Sequence, residues 1–480
     1  MELTWIGLNM WVQLLILVAY SFTIISAVVV VLSENRNPIR SIAWVIALLF
    51  LPVVGLVFYL FFGRSLKGQH MISRHNKRKI MSSYHPHQVD LDTQPLSDEE
   101  RNLIKLAYNL STAFYTINNE VEIFTIGRDK FEALKRDLRN ARKSIYLQYY
   151  IFSDDELGRE ISDILVEKAR SGVEVKVIYD HVGSFSAKRR FFRRMNENGV
   201  ETHPFFKVTF PQLANRINWR NHRKIVVIDS MIGYIGGMNI ADRYEKGQSD
   251  GSAWRDTHFR LKGEIVDSLL YSFLIDWNFK NPEQKVNYPR PHESQLHNKV
   301  GMQLVGSGPM NRYDNIALCF LKAISGATRS IYIQTPYFLP TDGLLHALEA
   351  AALSNVDVRI MIPRKTDSIM LQYASFSYIS QCLQAGIKIY LYEAGMLHAK
   401  MMVIDDSVVT AGSTNFDFRS FENNFEANLI IYDKEINRKM RDIFFEDLRQ
   451  CTKLRFSTWH QRPRIQRTFE SIVRLVSPIL

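Results

Sequence analysis

Ser144-Ile-Tyr-Leu-Gln148 is written a second time as Ser330-Ile-Tyr-Ile-Gln334. Both runs are β-branched and aromatic, so both read as strands. Each is followed by a Phe (Phe152, Phe338), a turn, and a stretch of helical period, residues 156–171 and 343–354. A strand comes next in each copy, 173–178 and 356–362. Further on, Gly199-Val200 and Gly386-Ile387 each end a helix before a strand. The copies stay 186 or 187 residues apart (330 − 144, 386 − 199). Strand–helix–strand order repeated in this way predicts an α/β protein of two pseudo-symmetric lobes, with mixed sheets flanked by helices. Two facing copies would share one cleft.

Each copy carries the same polar signature. Asn221-His222-Arg223-Lys224 runs into four apolar residues, Asp229, and then Gly236-Gly237-Met238-Asn239. His398-Ala399-Lys400 runs into four apolar residues, Asp405, and then Gly412-Ser413-Thr414-Asn415. His to Asn is 17 in both (239 − 222, 415 − 398). Alternate residues of a strand share a face, so His222 points with Lys224 and His398 with Lys400. Asp229-Ser230 and Asp405-Asp406-Ser407 supply turn chemistry, and a hairpin would return each Gly/Asn segment to its own His. Two His, two Lys and two Asn around one cleft suit a phosphate. Lys attracts phosphate oxygens, Asn adds neutral donors, and Gly lets the backbone approach. One His can attack phosphorus while the other protonates the leaving alkoxide, with the roles reversed in a second half-reaction.

Carboxylates are expected to orient the imidazoles. The candidates are Asp256, 34 residues after His222, and Glu426, 28 residues after His398; each precedes a strand-like run at the matching point of its repeat. A metal centre is the rival chemistry. A lysine two residues from each His would repel a cation, and no carboxylates cluster nearby in sequence, so no metal and no cofactor are expected. Lys207, Arg216, Trp219 and Arg220 precede the first motif. Arg216 and Arg220 are candidates for holding a second substrate phosphate, against the plainer reading of a solvated loop.

The chain has 480 residues, 46% hydrophobic, with a net charge of +11. That charge favours an anionic partner, either a lipid surface or nucleic acid. Cys319, Cys382 and Cys451 lie far apart, with no disulfide framework or metal knuckle among them. No charged residue occurs between Glu2 and Glu34, and residues 41–63 form a second uncharged stretch. Each exceeds the roughly 20 residues a membrane helix needs. Trp5, Trp11, Trp44 and Tyr59 stand where interfacial aromatics belong. A signal peptide fits poorly, since the N-terminus carries Glu2 and no Lys or Arg. Pro52 and Gly55 would kink the second segment or make it re-entrant. Arg64, Lys67, Arg74, Lys77, Arg78 and Lys79 follow it, against Arg36 and Arg40 between the segments, so the lobes are expected in the cytoplasm. The expected organisation is two transmembrane segments over 1–63, a basic polar linker and helix over 64–118, a first lobe over 119–295, and a second over 296–480. The second lobe ends in a basic amphipathic tail suited to a membrane surface.

The doubled HxKx4Dx6G[GS]xN pattern resembles the mark of the phospholipase D superfamily; Gly237 stands where that family often has Ser, as at Ser413. The paired N-terminal segments with Arg36-Asn-Pro38, Asn218-Trp-Arg-Asn-His222, Gln334-Thr-Pro-Tyr-Phe338, Ser307-Gly-Pro309 and Arg474-Leu-Val-Ser-Pro478 further resemble the bacterial cardiolipin synthases, over nearly the whole chain. The resemblance implies metal-free transfer of a phosphatidyl group from one phosphatidylglycerol to another, giving cardiolipin and glycerol in the bacterial cell membrane. It implies His222 as nucleophile and His398 as acid and base, with the reverse left open by the pseudo-symmetry. It also implies that Asp229 and Asp405 support the site rather than react. Hydrolysis to phosphatidic acid is the alternative within the same chemistry. A nuclease is disfavoured by the membrane segments, and a non-catalytic scaffold by two intact motifs. Acceptor preference and oligomeric state stay open.

Overall fold

Four-residue apolar runs behind each HxK motif, Ile225–Ile228 and Met401–Ile404, are fully buried centre strands of two sheets. The computed structural model describes residues 10–33, 38–59, 63, 66–68, 76–77, 80–81, 89–208, 218–280 and 300–476. The chain separates into a small unit, Met1–Ser65 with Val208–Asn218, and a large unit of Leu66–Lys207 and Trp219–Leu480.

In the small unit, α1 spans Met10–Ser33, α2 Pro38–Phe50 and α3 Pro52–Phe58. The second expected membrane helix is therefore not continuous. Leu51 leaves helical geometry (φ −129°, ψ 61°) and Pro52, lacking an N–H, starts α3. The chain folds back there, since Trp44 packs edge-to-face on Tyr59 at 5.4 Å between ring centres. Fifteen residues of straight helix would hold those positions about 22 Å apart. Among the described residues no helix is long and apolar enough to cross a membrane; six side chains of α1 (19, 27 and 30–33) lie outside that set. Trp5, Arg36, Arg64, Arg74, Arg78 and Lys79, invoked above for membrane placement, also lie outside the described residues.

The large unit begins with α4 (Asp98–Ser111), started by a capping box of Ser97 and Glu100. It ends where Thr112 turns left-handed (φ 56°). The first lobe runs β1 (Asn119–Phe124), α5 (Gly127–Asn140), β2 (Ser144–Tyr149), α6 (Glu156–Arg170), β3 (Glu174–Asp180), α7 (Arg189–Glu197), β4 (Glu201–Phe205), β5 (Ile225–Ile228), β6 (Ile232–Gly236), α8 (Asp242–Lys246), β7 (Ala253–Arg255), β8 (His258–Gly263) and α9 (Ile265–Lys280). The second runs β9 (Gly301–Ser307), α10 (Asn315–Ser325), β10 (Ser330–Gln334), β11 (Phe338–Leu339), α11 (Asp342–Leu353), β12 (Asp357–Pro363), α12 (Ile369–Gln384), β13 (Lys388–Tyr392), β14 (Gly395–Leu397), β15 (Met401–Ile404), β16 (Val408–Gly412), β17 (Phe416–Asp417), α13 (Phe418–Glu422), β18 (Glu426–Tyr432), α14 (Lys434–Leu448), β19 (Cys451–Lys453), α15 (Phe456–His460) and α16 (Arg464–Val476).

The sheet orders repeat. The first is β1-β8-β6-β5-β2-β3-β4; the second, read from its far edge, is β9-β18-β16-β15-β10-β12-β13, with β19 added. Strands β2, β3 and β4 are parallel, as are β10, β12 and β13, while β5 and β15 run antiparallel to β2 and β10. Helix α4 belongs to the second lobe. Gln303 Nε2 donates to the carbonyls of Ile104 and Ala113, and Thr116 exchanges backbone bonds with Met302. The sheets are thus mixed and helix-covered, as the repeat predicts.

Candidate active site

His222 and His398 sit just before β5 and β15, at the sheet edge where β2 and β10 end. Both line one cavity of about 300 Å3 with Tyr150, Asn239, Tyr244, Asn415 and Asp417. The two lobes are stitched together at these motifs. The His222 N–H donates to the Phe425 carbonyl at 2.9 Å, and the Phe425 N–H to the Arg220 carbonyl at 2.8 Å. On the other side β14 pairs parallel with β7, and the His398 N–H donates to the Arg255 carbonyl at 2.6 Å. Gly395 allows this approach, because a Cβ there would stand 2.2 Å from the Ala253 carbonyl oxygen.

This stitching crosses the carboxylates between lobes. His222 Nδ1 lies 3.0 Å from Glu426 Oε1 of the second lobe, and His398 Nδ1 lies 2.6 Å from Asp256 Oδ2 of the first. Both acids named from the sequence stand against an imidazole, but the sequence reading counted each from the His of its own repeat. The structure corrects that: β7 and the segment before β18 deliver each acid to the opposite motif. The Gly237/Ser413 difference now has a cause. Ser413 Oγ donates to Glu426. At 237 any Cβ would stand 2.0 Å from Asp256 Oδ1, so the shorter acid occupies the room a side chain would need.

The acids fix the tautomers. His222 Nδ1 faces two acceptors, Glu426 and the Ser413 carbonyl at 3.1 Å, so Nδ1 carries the hydrogen and Nε2 keeps its lone pair. His398 Nδ1 also has the Lys400 ammonium at 2.8 Å. An ionised carboxylate can only accept, so Nδ1–H toward Asp256 is the consistent assignment. Burial pushes the His222 imidazole below its usual value, against the pull of Glu426. Burial and then Lys400 bring His398 down to about 4. Burial lowers Lys224 to about 7 and Lys400 to about 8. Burial alone would raise the acids, but His222 and Lys224 hold Glu426 below the usual carboxylate range, and Lys400 and His398 do so for Asp256. Near neutral pH the site holds two ionised acids and two neutral imidazoles. Aromatic rings flank each imidazole: Tyr150 against His222 at 4.8 Å, and Trp254 and Tyr244 against His398 at 5.5 and 5.7 Å.

Lys224 and Lys400 stand two residues after their His, just ahead of β5 and β15; their ammonium groups reach the carbonyls of His222 (2.6 Å) and His398. Asn239 and Asn415 do line the cavity, but each has a hydrogen committed within the protein, to the Tyr244 hydroxyl at 2.7 Å and to Asp417 at 3.0 Å. Asp229 and Asp405 sit away from the cavity, at the far ends of β5 and β15. Asp229 accepts from the backbone N–H groups of Arg142, Lys143 and Ser144 at 2.7–2.8 Å. Asp405 accepts from Thr328, Arg329 and Ser330 at 2.8–2.9 Å. Each staples the loop that opens its repeat. Arg220 lines the cavity with its guanidinium on buried Asp180 at 3.1 Å; Arg216 lies outside the described residues.

Support for the site that sequence reasoning missed comes in equivalent pairs. Gln148 donates to Asp276 and Gln334 to Asp447. Those acids take Arg223 and Arg255, neighbours of His222 and Asp256, at 2.8 and 2.9 Å. The signal was present, since a Gln stands fifth in the same apolar strand in both copies. Among the described residues no three His, Cys, Asp or Glu side chains form a metal cluster.

Residues 134–253 and 320–448, which include both motifs, match the family model described as cardiolipin synthase, PLD-like domain. Residues 22–64 match a phospholipase D-nuclease N-terminal model. The chain is 40% identical over 478 residues to the major cardiolipin synthase ClsA of Bacillus subtilis (strain 168), covering 98% of this chain and 99% of that one. It is 38% identical over 476 residues to a cardiolipin synthase of Listeria monocytogenes serotype 4a (strain HCC23), covering 97% and 99%. Among solved structures, the phosphatidylserine synthase of Haemophilus influenzae Rd KW20 aligns with a TM-score of 0.60 over 79% of this chain and 100% of that chain, at 16% identity, a likeness of fold.

Proposed function

The chain belongs to the bacterial cardiolipin synthases of the phospholipase D superfamily, and from that premise we propose that it joins two phosphatidylglycerol molecules into cardiolipin with release of glycerol. The observation that carries the mechanism is the crossed pair of imidazoles on one cavity, each with Nδ1 engaged by a buried acid and Nε2 left for chemistry. His222 Nε2 attacks phosphorus. The bond from phosphorus to the glycerol oxygen breaks, and His398 Nε2 gives that oxygen its proton. A second phosphatidylglycerol then offers a hydroxyl. Its proton goes to His398, its oxygen bonds to phosphorus, and the phosphorus–nitrogen bond to His222 breaks. The order rests on an asymmetry: Lys400 lies against the His398 ring, which makes it the weaker base and the better acid. The anionic phosphodiester raises His398 from its low free value as it enters, so that it can carry the proton it donates. Lys224 and Lys400 meet the charge that builds on the phosphoryl oxygens. Asp229 and Asp405 hold the scaffold and Asp256 and Glu426 the ring orientations, with Asn239, Asn415 and Arg220 on the cavity wall, Gly237 leaving room for Asp256 and Ser413 donating to Glu426.

The small unit is read as a membrane anchor on the uncharged run between Glu2 and Glu34 and the positive residues that follow 63. On the same charges the lobes are read as lying on the cytoplasmic side. The test is incubation of the full chain with phosphatidylglycerol alone in detergent, with a chelator present, followed by mass spectrometry. Cardiolipin with equimolar glycerol is expected. Phosphatidic acid alone would convert the reading to hydrolysis, and no change would remove it.

A further inference from the structure

The strands β3 and β12 end in equivalent loops, residues 181–188 and 364–368. His222 and His398 stand at the amino ends of β5 and β15. In the first lobe β5 runs antiparallel to β2, and β2 parallel to β3; the second lobe repeats this with β15, β10 and β12. Each loop therefore leaves the sheet edge that carries its histidine. Each is also tied to the cavity. Ser184 Oγ donates to the Tyr150 carbonyl at 3.2 Å, and Tyr150 packs on His222. Asp367 accepts from the Tyr337 hydroxyl and lines the cavity with Leu371.

Each side presents a large apolar residue, one within the first loop and the other at the first residue of α12, directly after the second loop. Phe185 is 81% exposed, and Ile369 is 71% exposed with Met370 beside it. Single exposed apolar residues are ordinary. Large ones in or directly after the corresponding loop of each lobe are not explained by packing. Exposed cations flank them, Lys188, Arg189 and Arg190 on the first lobe and Lys365 on the second. Beside the second lies α16, whose Phe469 packs edge-to-face on Tyr373 of α12, one turn beyond Ile369, at 5.0 Å. Along α16, Ile465, Phe469, Ile472 and Leu475 form one exposed stripe at helical spacing, while Val473 and Glu470 are buried.

A cavity of about 300 Å3 is at the low end of the roughly 300–1,000 Å3 of small-ligand sites. It holds a phosphate and a glycerol headgroup but not two acyl chains. A diacyl substrate must keep its chains outside while its phosphorus meets His222, so the rim of the cavity has to touch the apolar layer. We propose that Phe185 and Ile369, with the α16 stripe beside the second, form a lipid-inserting rim that seats the cavity mouth on an anionic bilayer. The apolar tips enter the acyl boundary, and Lys188, Arg189, Arg190 and Lys365 meet the anionic headgroups. Insertion shortens the distance a headgroup must be lifted to reach the histidines. This rests on the lipid-substrate reading above.

Two measurements on the full chain in phosphatidylglycerol-containing proteoliposomes test it. First, Phe185→Cys and Ile369→Cys, each in a Cys451→Ser background, are labelled with an environment-sensitive fluorophore. The labels should be quenched by acyl-chain-brominated lipid and shielded from aqueous iodide. Quenching by iodide and not by brominated lipid at both positions overturns the proposal, whatever reaction the enzyme catalyses. Second, the double variant Phe185→Ser/Ile369→Ser should lose about tenfold in kcat/KM for long-chain phosphatidylglycerol in vesicles and keep its rate on monomeric dihexanoyl-phosphatidylglycerol. Equal loss on both substrates would show damage to the site and overturn the rim. Normal rates on both would also overturn it.

Discussion

Gly237→Ala, a change in the first motif, should disable the histidine of the second. A Cβ at 237 would stand 2.0 Å from Asp256 Oδ1 and 2.7 Å from its Cγ. Asp256 is fully buried and pinned by His398 Nδ1 at 2.6 Å and the Thr257 N–H at 2.7 Å. The carboxylate can relieve the clash only by leaving one of them. A hydrogen bond to a charged group contributes about 1.5–3 kcal/mol. At about 1.4 kcal/mol per tenfold, a step limited by His398 slows by roughly 10- to 150-fold. Asp256→Asn removes the same charge without the added volume, and Glu426→Gln does so for His222. All three should lower cardiolipin formation from phosphatidylglycerol. A phosphatidyl ester of p-nitrophenol separates them, because its leaving group needs no proton. On that ester, rapid-quench formation of the phosphatidyl-histidine should stay near normal in Gly237→Ala and Asp256→Asn and slow only in Glu426→Gln. If Glu426→Gln alone is spared, His398 is the nucleophile. If Gly237→Ala follows Glu426→Gln while Asp256→Asn does not, the idea that the added Cβ acts through Asp256 is refuted.

His222→Ala and His398→Ala should each abolish turnover with thermal unfolding unchanged within a few degrees; measurable activity in either removes the two-histidine mechanism. Asp229→Ala should cost about 2–4 kcal/mol of stability, from lost bonds to three N–H groups and an Ala forced to positive φ, lowering Tm while activity per folded molecule survives at low temperature. Loss of activity without loss of Tm would instead make Asp229 a participant in the chemistry. Lys224 and Lys400, held at about 7 and about 8, bind fewer protons folded than unfolded over the window from about 7 to the ordinary lysine value of 10.5. Stability should therefore rise with pH across that window. In Lys224→Met the rise should flatten, and differential scanning fluorimetry from pH 7 to pH 10 reads it directly; an unchanged slope would mean Lys224 is not the titrating group.

Much of the site could be read from spacing. A separation of two residues keeps His222 near Lys224 and His398 near Lys400, in the extended segments that lead into β5 and β15. The apolar runs that follow had to be buried, and the turn residues Asp229 and Asp405 had to close hairpins; β5–β6 and β15–β16 are those hairpins. The repeat of Ser-Ile-Tyr strands implied two lobes, and two sheets of matching order are what formed. The helix at Asp98–Ser111 was legible too, but its attachment to the second lobe was not, because that depends on Gln303 reaching carbonyls about 200 residues earlier in the chain. The fold-back at Leu51 was only half legible: Pro52 announces a break, but not its angle, which the packing of Trp44 on Tyr59 sets.

The sequence by itself determined what covalent spacing can carry, namely which residues share a strand face, which runs are buried, and that the unit occurs twice. Only the tertiary structure decided which acid serves which histidine. Glu426 is 28 residues from His398 and 204 from His222, yet it is His222 that it holds. The physical reason is that backbone pairing between lobes, His222 with Phe425 and His398 with Arg255, brings each acid to the opposite motif. Chain distance sets no limit on such a contact once both lobes are folded. The same holds for Phe185 and Ile369. Their apolar character is in the sequence, but their exposure, in the loop after β3 and at the start of α12 after the matching loop, belongs to the folded lobes.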